Sequence, residues 1–370
     1  MDYAFLVIVL TLVVFGLIML FSASYATAYY RFNQDSFHYI RSQLIYAVAG
    51  VVVMLVVSRV DYHLLKPFAW PLMGVTFILL VVVLFMQELN HAHRWIFVFG
   101  ITFQPSEIAK FAVILLFAYI ISNNHAQMRS KNLGESFVYG VLPFGVILLG
   151  ITGLMLLEPH LSGTILILAI GAVMMFVGGT SIKWFATAGV SAAALLAAAV
   201  LFKEDLVPYA MDRINVWRDP FIDPLGDGHQ TIQSLLAIGS GGLSGLGLGN
   251  SRQKHLYVPE PQNDFIFSII CEELGFIGAV LIILLFVSLL LRGLYIAIQA
   301  RDKFGAMLVV GITTQVTLQA VLNMAVVTNT IPNTGISLPF FSHGGTSLLL
   351  LLFEMGVILS VSRQAKLTKL

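Results

Sequence analysis

Apolar residues fall in long, nearly unbroken tracts separated by short polar segments, a pattern unlike the spaced stripe of a soluble amphipathic helix. Ten tracts approach the roughly 20 residues that cross a ~30 Å hydrocarbon layer. They centre on Phe5–Phe21, Leu44–Val57, Phe68–Met86, Ile108–Ile121, Phe137–Leu156, Ile165–Gly178, Phe185–Leu201, Phe265–Leu291, Met307–Thr328 and Leu348–Ser360. The second and fourth are short and must borrow flanking polar residues. Strict alternation, the mark of a membrane β-barrel, is absent. The pattern predicts an all-α polytopic membrane protein with about ten transmembrane helices. No basic residue precedes the first tract and no small-residue cleavage site follows it, so it reads as a retained span rather than a signal peptide.

Composition agrees. Over 370 residues, 58% are hydrophobic and only 11% charged, with a mean hydropathy of +0.90. So few charges cannot cover a water-facing surface of this size without large apolar patches. The net charge of +1 excludes a nucleic-acid partner recognised through a strong basic field. A single cysteine, Cys271, excludes an intramolecular disulfide and a Cys-rich metal cluster.

Orientation follows from lysine and arginine in the short loops. One side carries Arg59, Lys66, Arg129, Lys131, Lys183, Arg292, Arg301, Lys303, Arg363, Lys366 and Lys369; the short loops opposite carry only Arg31, Arg41 and Arg94. Both termini are expected on the cytoplasmic side of the membrane. The composition shifts once, in a long segment between the seventh and eighth spans. This segment, 203–263, is rich in charge, proline and glycine and is expected to be a large extracellular loop of a single domain, 1–370. Its Trp217, Phe221, Leu235, Leu236, Ile238 and Tyr257 predict short helices on the outer face of the bundle rather than a disordered linker.

Ionisable groups at membrane depth are costly unless paired or facing water, so the few that occur are informative. Glu107 and Lys110 share one helical face, as a structural ion pair or as charges lining a cavity. Gln315, Gln319 and Asn323 form a polar stripe at helical spacing, either hydrogen-bond glue between helices or a cavity wall. Glu354, Glu272 and Glu273 pose the same question. Asp264 stands where the long loop meets the eighth span. It is either an N-cap, which would lower its pKa, or a partly desolvated base with its pKa raised. Several motifs are missing. The Gly239–Gly249 stretch does not match a dinucleotide-binding loop, and there is no Walker lysine, HExxH zinc motif or nucleophile elbow. His91 and His93 are too sparse for a zinc site.

Taken together, several segments resemble the SEDS (shape, elongation, division and sporulation) family of FtsW/RodA/SpoVE-like proteins. They are Arg94-Trp95-Ile96, Phe103-Gln104-Pro105-Ser106-Glu107 with Lys110, Arg213 with Trp217-Arg218-Asp219-Pro220, and Gln230 with Gln233-Ser234. The glycine-rich stretch Gly241–Gly249 follows, then Pro259-Glu260 through Asp264-Phe265-Ile266-Phe267 with Glu272-Glu273-Leu274-Gly275, and finally Gly335 through Ser347. The order holds over nearly the whole chain. Two departures stand out: Glu158-Pro159-His160-Leu161-Ser162-Gly163-Thr164 replaces the family's Gln-Pro-Asp-Leu-Gly-Thr, and His343 stands where tyrosine is common.

The resemblance implies a peptidoglycan glycosyltransferase that polymerises lipid II at the outer face of the membrane, beside a cognate class B penicillin-binding protein and other divisome or elongasome membrane proteins. It assigns Asp264 as catalytic base. The same carboxylate is an alternative ligand for a divalent cation, Mg2+ or Mn2+. Arg213, Arg218, Lys254 and Lys110 are candidates for the substrate diphosphate, and Arg94 and Trp95 for the cavity mouth. Glu107, Gln230 and Ser342 complete the expected substrate-binding set. Two rival readings remain: a lipid II flippase, which needs a polar route through the full membrane depth, and a non-catalytic scaffold that activates the penicillin-binding protein.

Overall fold

The structure, a computed structural model, describes residues 1–86, 94–98, 101–130, 132–158, 160–191, 214–226 and 228–365. Among these, nine helical stretches are long and apolar enough to cross a membrane. They are α1 (Tyr3–Arg31), α2 (His38–Val57), a 3-10 turn Tyr62–Phe68 running into α3 (Ala69–Val83), α4 (Pro105–Met128), α5 (Leu133–Gly140) with α6 (Leu142–Leu157), and α7 (Leu161–Gly178). After a helix over 182–191 (α8), a short one over 214–218 (α9) and α10 (His229–Gly241) come α11 (Ile266–Gln299), α12 (Lys303–Val327) and α13 (Gly345–Gln364). The expected seventh span begins on α8; its residues from 192 onward lie outside the described ones. The chain is a multi-pass helical membrane protein.

Burial divides the helices into two sets. α4, α12 and α13 are mostly enclosed, whereas α1, α2, α3 and α11 turn much of their surface outward. The outward residues are Val, Ile, Leu and Phe, such as Val14, Val52, Ile78 and Leu281, which a hydrocarbon solvent accepts. Polar side chains at membrane depth concentrate on the enclosed set: Lys110, Gln315, Gln319, Asn323 and Glu354 are all buried. That partition follows from the absence of water in the bilayer, because a polar group is tolerated there only inside protein.

α11 is broken, and the break explains the glycine-rich stretch. Within α11, Gly275 takes φ 67° and ψ −166°, interrupting the backbone ladder. The freed groups are taken up by the segment after α10. The N–H groups of Leu246 and Gly247 donate to the carbonyls of Glu272 and Glu273, and Phe276 and Ile277 donate to Gly242 and Leu243. Backbone approaches backbone so closely that a Cβ on Gly275 would lie 2.3 Å from the Gly245 nitrogen, and one on Gly245 2.1 Å from the Glu273 oxygen. Only glycine fits at either position, and both have positive φ. The long segment is thus clamped to α11 rather than draped over it. α10 packs on α11 and α12, its Ser234 hydroxyl donating to the Val327 carbonyl.

A feature absent from the hydropathy pattern is a small antiparallel hairpin before α4. Its strands β1 (Ile96–Val98) and β2 (Ile101–Phe103) pair Ile96 with Phe103. Three-residue strands leave too little alternation to be read in a sequence. The hairpin delivers Arg94 and Trp95 on one side and Gln104 on the other to the same cavity.

Candidate active site

The N-termini of α4, α7 and α13 and the junction ahead of α11 surround a cavity of about 610 Å³. Six of the residues expected from sequence line it: Arg94, Trp95, Glu107, Lys110, Asp264 and Ser342. Asp264 does not cap α11. The N-cap position is Phe265, and no side chain makes a capping bond there. The carboxyl is instead half-buried on the cavity wall. Burial pushes its pKa up from the ordinary carboxylate range to about 6, against the pull of the Arg94 guanidinium. Of the two readings open in the sequence, the structure therefore shows the partly desolvated carboxyl.

Local geometry holds Asp264 in place through its backbone. Asn323 of α12 donates from Nδ2 to the Asp264 carbonyl (2.7 Å) and to the Ile336 carbonyl (2.6 Å). Ser342 donates from Oγ to the Asn263 carbonyl (2.6 Å) and accepts from the Leu338 N–H (2.7 Å). The segment 335–342 is thereby stitched to 263–264. Gly335, at φ 69°, passes so close that a Cβ there would lie 3.3 Å from Asp264 Oδ2. Ser342 thus acts on the loop around the carboxylate as well as lining the cavity.

The Glu107–Lys110 pair is both of the things its spacing allowed. Lys110 Nζ lies 2.8 Å from Glu107 Oε1 and donates to Gln319 Oε1 (3.0 Å), with the lysine buried and the glutamate partly open. Both line the cavity, as do Gln315 and Gln319. Gln319 donates onward to the Ser337 carbonyl (3.1 Å), and Gln315 to Glu354 Oε2 (2.9 Å). The polar stripe is glue and wall together. On α13 the lining runs from Gly345 to Glu354, about 14 Å along the axis at 1.5 Å per residue. Below it Val357, Ile358, Leu359 and Val361 are sealed. Among the described lining residues none on α13 lies beyond Glu354.

Other expected residues lie elsewhere. Lys254 is fully buried beside α1 and α11. Its ammonium donates to Glu273 Oε1 (2.7 Å) and Ser22 Oγ (3.4 Å) and sits 4.7 Å from the Tyr25 ring centroid. Sequence spacing could not show this, because the clamp at Gly275 is what draws 251–254 onto α11. Glu272 belongs to the same knot, accepting from the Ser251 hydroxyl and the Arg252 N–H. Gln230 of α10 donates to the Pro259 carbonyl (3.4 Å) and accepts from Asn333 (3.3 Å), away from the cavity wall. Arg218 is exposed at the end of α9, and Arg213 lies outside the described residues. Among the described residues no three His, Cys, Asp or Glu side chains converge on a metal position. A cation at Asp264 would therefore find few other carboxylate or imidazole ligands among the described residues.

The structure also adds residues to the wall that sequence reasoning had not placed there: Gln104, Ser106, His160 and His343. His160 and His343 were visible as departures from the family pattern, but not as neighbours of Asp264. Glu158, behind His160 in the chain, is buried and pushed up to about 8 by burial, with Arg94 opposing.

Residues 3–367 match the family model of the FtsW/RodA/SpoVE proteins, described as cell cycle proteins. The chain is 42% identical to stage V sporulation protein E of Bacillus subtilis, covering 99% of this chain and 98% of that one. It is 39% identical to a probable peptidoglycan glycosyltransferase FtsW of Trichlorobacter lovleyi, over 100% and 95% of the two chains. Among solved structures it resembles a chain of a peptidoglycan synthase complex that coordinates polymerization and crosslinking, with TM-score 0.79, 28% identity and 98% and 97% coverage. It also resembles the rod shape determining protein RodA of Thermus thermophilus, with TM-score 0.69, 25% identity and 99% and 98% coverage. With a match that runs almost from end to end, the chain belongs to the FtsW/RodA/SpoVE (SEDS) family.

Proposed function

We propose that this chain is a peptidoglycan glycosyltransferase that polymerises lipid II, with Asp264 as general base. The observation that carries the reading is one cavity holding a carboxyl pushed up to about 6 together with two cations, the half-buried Arg94 and the buried Lys110. Joining sugars from a polyprenyl diphosphate donor needs both. An acceptor hydroxyl attacks the anomeric carbon and passes its proton to a carboxylate. The bond from that carbon to the diphosphate oxygen breaks, and the leaving dianion gathers negative charge that cations stabilise. A base with a pKa near 6 is ionised at neutral pH yet basic enough to take the proton. A single displacement requires no covalent intermediate and inverts the anomeric centre.

The lysine and arginine asymmetry puts the termini in the cytoplasm and Asp264 toward the outer face, where the segment 203–263 is the large extracellular loop. A cavity whose α13 lining ends at Glu354 supports polymerisation over transport, since a flippase path would have to continue past Glu354 along α13. The likeness to a synthase complex coordinating polymerization and crosslinking supports a class B penicillin-binding protein as partner. Within the candidate site, Arg94, Trp95, Glu107 and Lys110 meet substrate, Ser342 positions the Asp264 loop, and Lys254 holds the fold. A divalent cation shared by Asp264 and the diphosphate is the second role for that carboxylate.

The test is gel analysis of glycan products from lipid II, using purified protein with its partner. The native protein should give polymer and Asp264→Ala none. Scaffold function alone predicts polymerisation by the complex regardless of Asp264. Repeating the assay with a chelator separates the base role, which survives, from the cation role, which does not.

A further inference from the structure

The reaction described above leaves part of the cavity wall unused. α4 and α7, helices of 24 and 18 residues, both start there, with Ser106 in the first turn of one and Ser162 and Gly163 in the first turn of the other. Neither N-cap side chain, Gln104 or His160, makes a capping bond. The first-turn amides of α7 and the positive end of each helix dipole are thus offered to whatever fills the cavity. A second, independent observation points the same way. Ser106 Oγ and His160 Nδ1 have no hydrogen-bond partner, although these residues are only 2% and 7% exposed. Buried polar atoms are normally paired, and an unpaired one on a cavity wall is a group awaiting a ligand.

Gln104 Nε2 faces His160 Nε2 at 3.5 Å; an amide nitrogen donates, so Nε2 accepts and the ring proton sits on Nδ1. Burial, Arg94 and Lys110 hold the imidazole down to about 3, so this neutral form persists across the working range. Gly163 makes room for it: a Cβ there would lie 2.7 Å from His160 Cε1 and 2.9 Å from Nδ1. Around His160 the open groups are donors, namely its Nδ1–H, the Ser106 hydroxyl and the first-turn amides of α7, near the charges of Arg94 and Lys110, whereas Gln315 Oε1 on α12 is an open acceptor of the same cavity. Nearby Glu158, pushed up to about 8, is mostly neutral at pH 7, and Glu107 is paired with Lys110. A ligand matching such a surface is an oxyanion.

We infer that His160 Nδ1–H, Ser106 Oγ–H and the first-turn amides of α7 form the subsite that grips the leaving diphosphate. This rests on the glycosyltransferase reading for the identity of the anion. His160 gives a hydrogen bond and no proton: the diphosphate oxygen keeps the electron pair of the broken bond, and the sugar proton goes to Asp264.

The experiment is equilibrium binding of undecaprenyl diphosphate, undecaprenyl phosphate and undecaprenol to the full chain in nanodiscs. Native protein is compared with His160→Ala, His160→Gln and Ser106→Ala, and each sample, with the partner added, is also assayed for lipid II polymerisation. The native protein should prefer the diphosphate over the alcohol. His160→Ala should lose about tenfold in diphosphate affinity, as expected for one hydrogen bond to a charged group, with undecaprenol binding unchanged. His160→Gln, which keeps a neutral donor, should retain most of the preference. Native diphosphate affinity in His160→Ala would overturn the subsite. Should His160→Ala fail to fold, Ser106→Ala carries the test: a severalfold loss supports the subsite and an unchanged affinity overturns it. If the native protein shows the His160-dependent preference yet makes no polymer, the glycosyltransferase reading fails and the subsite stands. Polymerisation with His160-independent binding sinks the subsite alone.

Discussion

Two buried lysines in this molecule have the same kind of partner and opposite surroundings. Lys254 donates to Glu273 in a knot where Ser22 Oγ also donates to Glu273 (2.6 Å) and Ser251 donates to Glu272, with all three charged side chains fully enclosed. Lys110 is bonded to Glu107 and Gln319 on the wall of a cavity that also holds the unpartnered atoms of Ser106 and His160. In the first region the charged groups are satisfied by the chain itself; in the second, the Ser106 hydroxyl and His160 Nδ1 are left for something else. Satisfaction, rather than charge, separates a structural ion pair from a candidate site. Removing one partner of a sealed pair strands a charge in protein, whereas an open pair can be relaxed by water.

The contrast can be broken most forcefully at its two extremes. Asp264→Asn should lower the rate of polymerisation by about 10²–10⁴, the usual contribution of a general base, while leaving the thermal midpoint in detergent no lower than native. A carboxyl raised from the ordinary 3.8 to about 6 by folding favours the folded state in its protonated form. That contribution is fully present below about pH 4 and is lost as pH rises through 6. A permanently neutral asparagine should thus equal or exceed native stability at pH 7–8, with the advantage fading below pH 4. Lys254→Met is the mirror image: a loss of about 3–5 kcal/mol from a stranded Glu273, read as a lowered midpoint, with any loss of activity following loss of fold.

Smaller effects sharpen the picture. Gly275→Ala combines a positive φ with a clash against the Gly245 backbone, and should cost about 1–3 kcal/mol by unfastening the segment that carries Lys254. Arg218→Ala, on an exposed side chain, should change stability by less than about 0.5 kcal/mol and polymerisation rate hardly at all.

How far the sequence could be read depended on which physical rule governed each part. Spans followed from length and apolarity, since lipid imposes both on every crossing helix; the tracts at Phe5, Phe265 and Met307 reappear as α1, α11 and α12. Asp264 was found because it adjoins lipid-compatible residues, and Glu107 with Lys110 because i, i+3 spacing fixes their neighbourhood. Lys254 was legible only as a cation. Its distance from the cavity depends on the break at Gly275, and nothing local to residue 254 announces that break. His160 was noticed as an odd residue in a motif, but its unpaired nitrogen depends on the ends of two helices meeting. The hairpin Ile96–Phe103 was too short to leave a pattern.

The central claim is that the Asp264 carboxylate takes the proton from the attacking sugar. Its most direct test is the pH dependence of kcat/KM for lipid II polymerisation by the native protein. The account predicts a rate that climbs tenfold per pH unit on the acid side and levels off with an apparent pKa near 6. A rate that stays flat from pH 5 to pH 8 would contradict it.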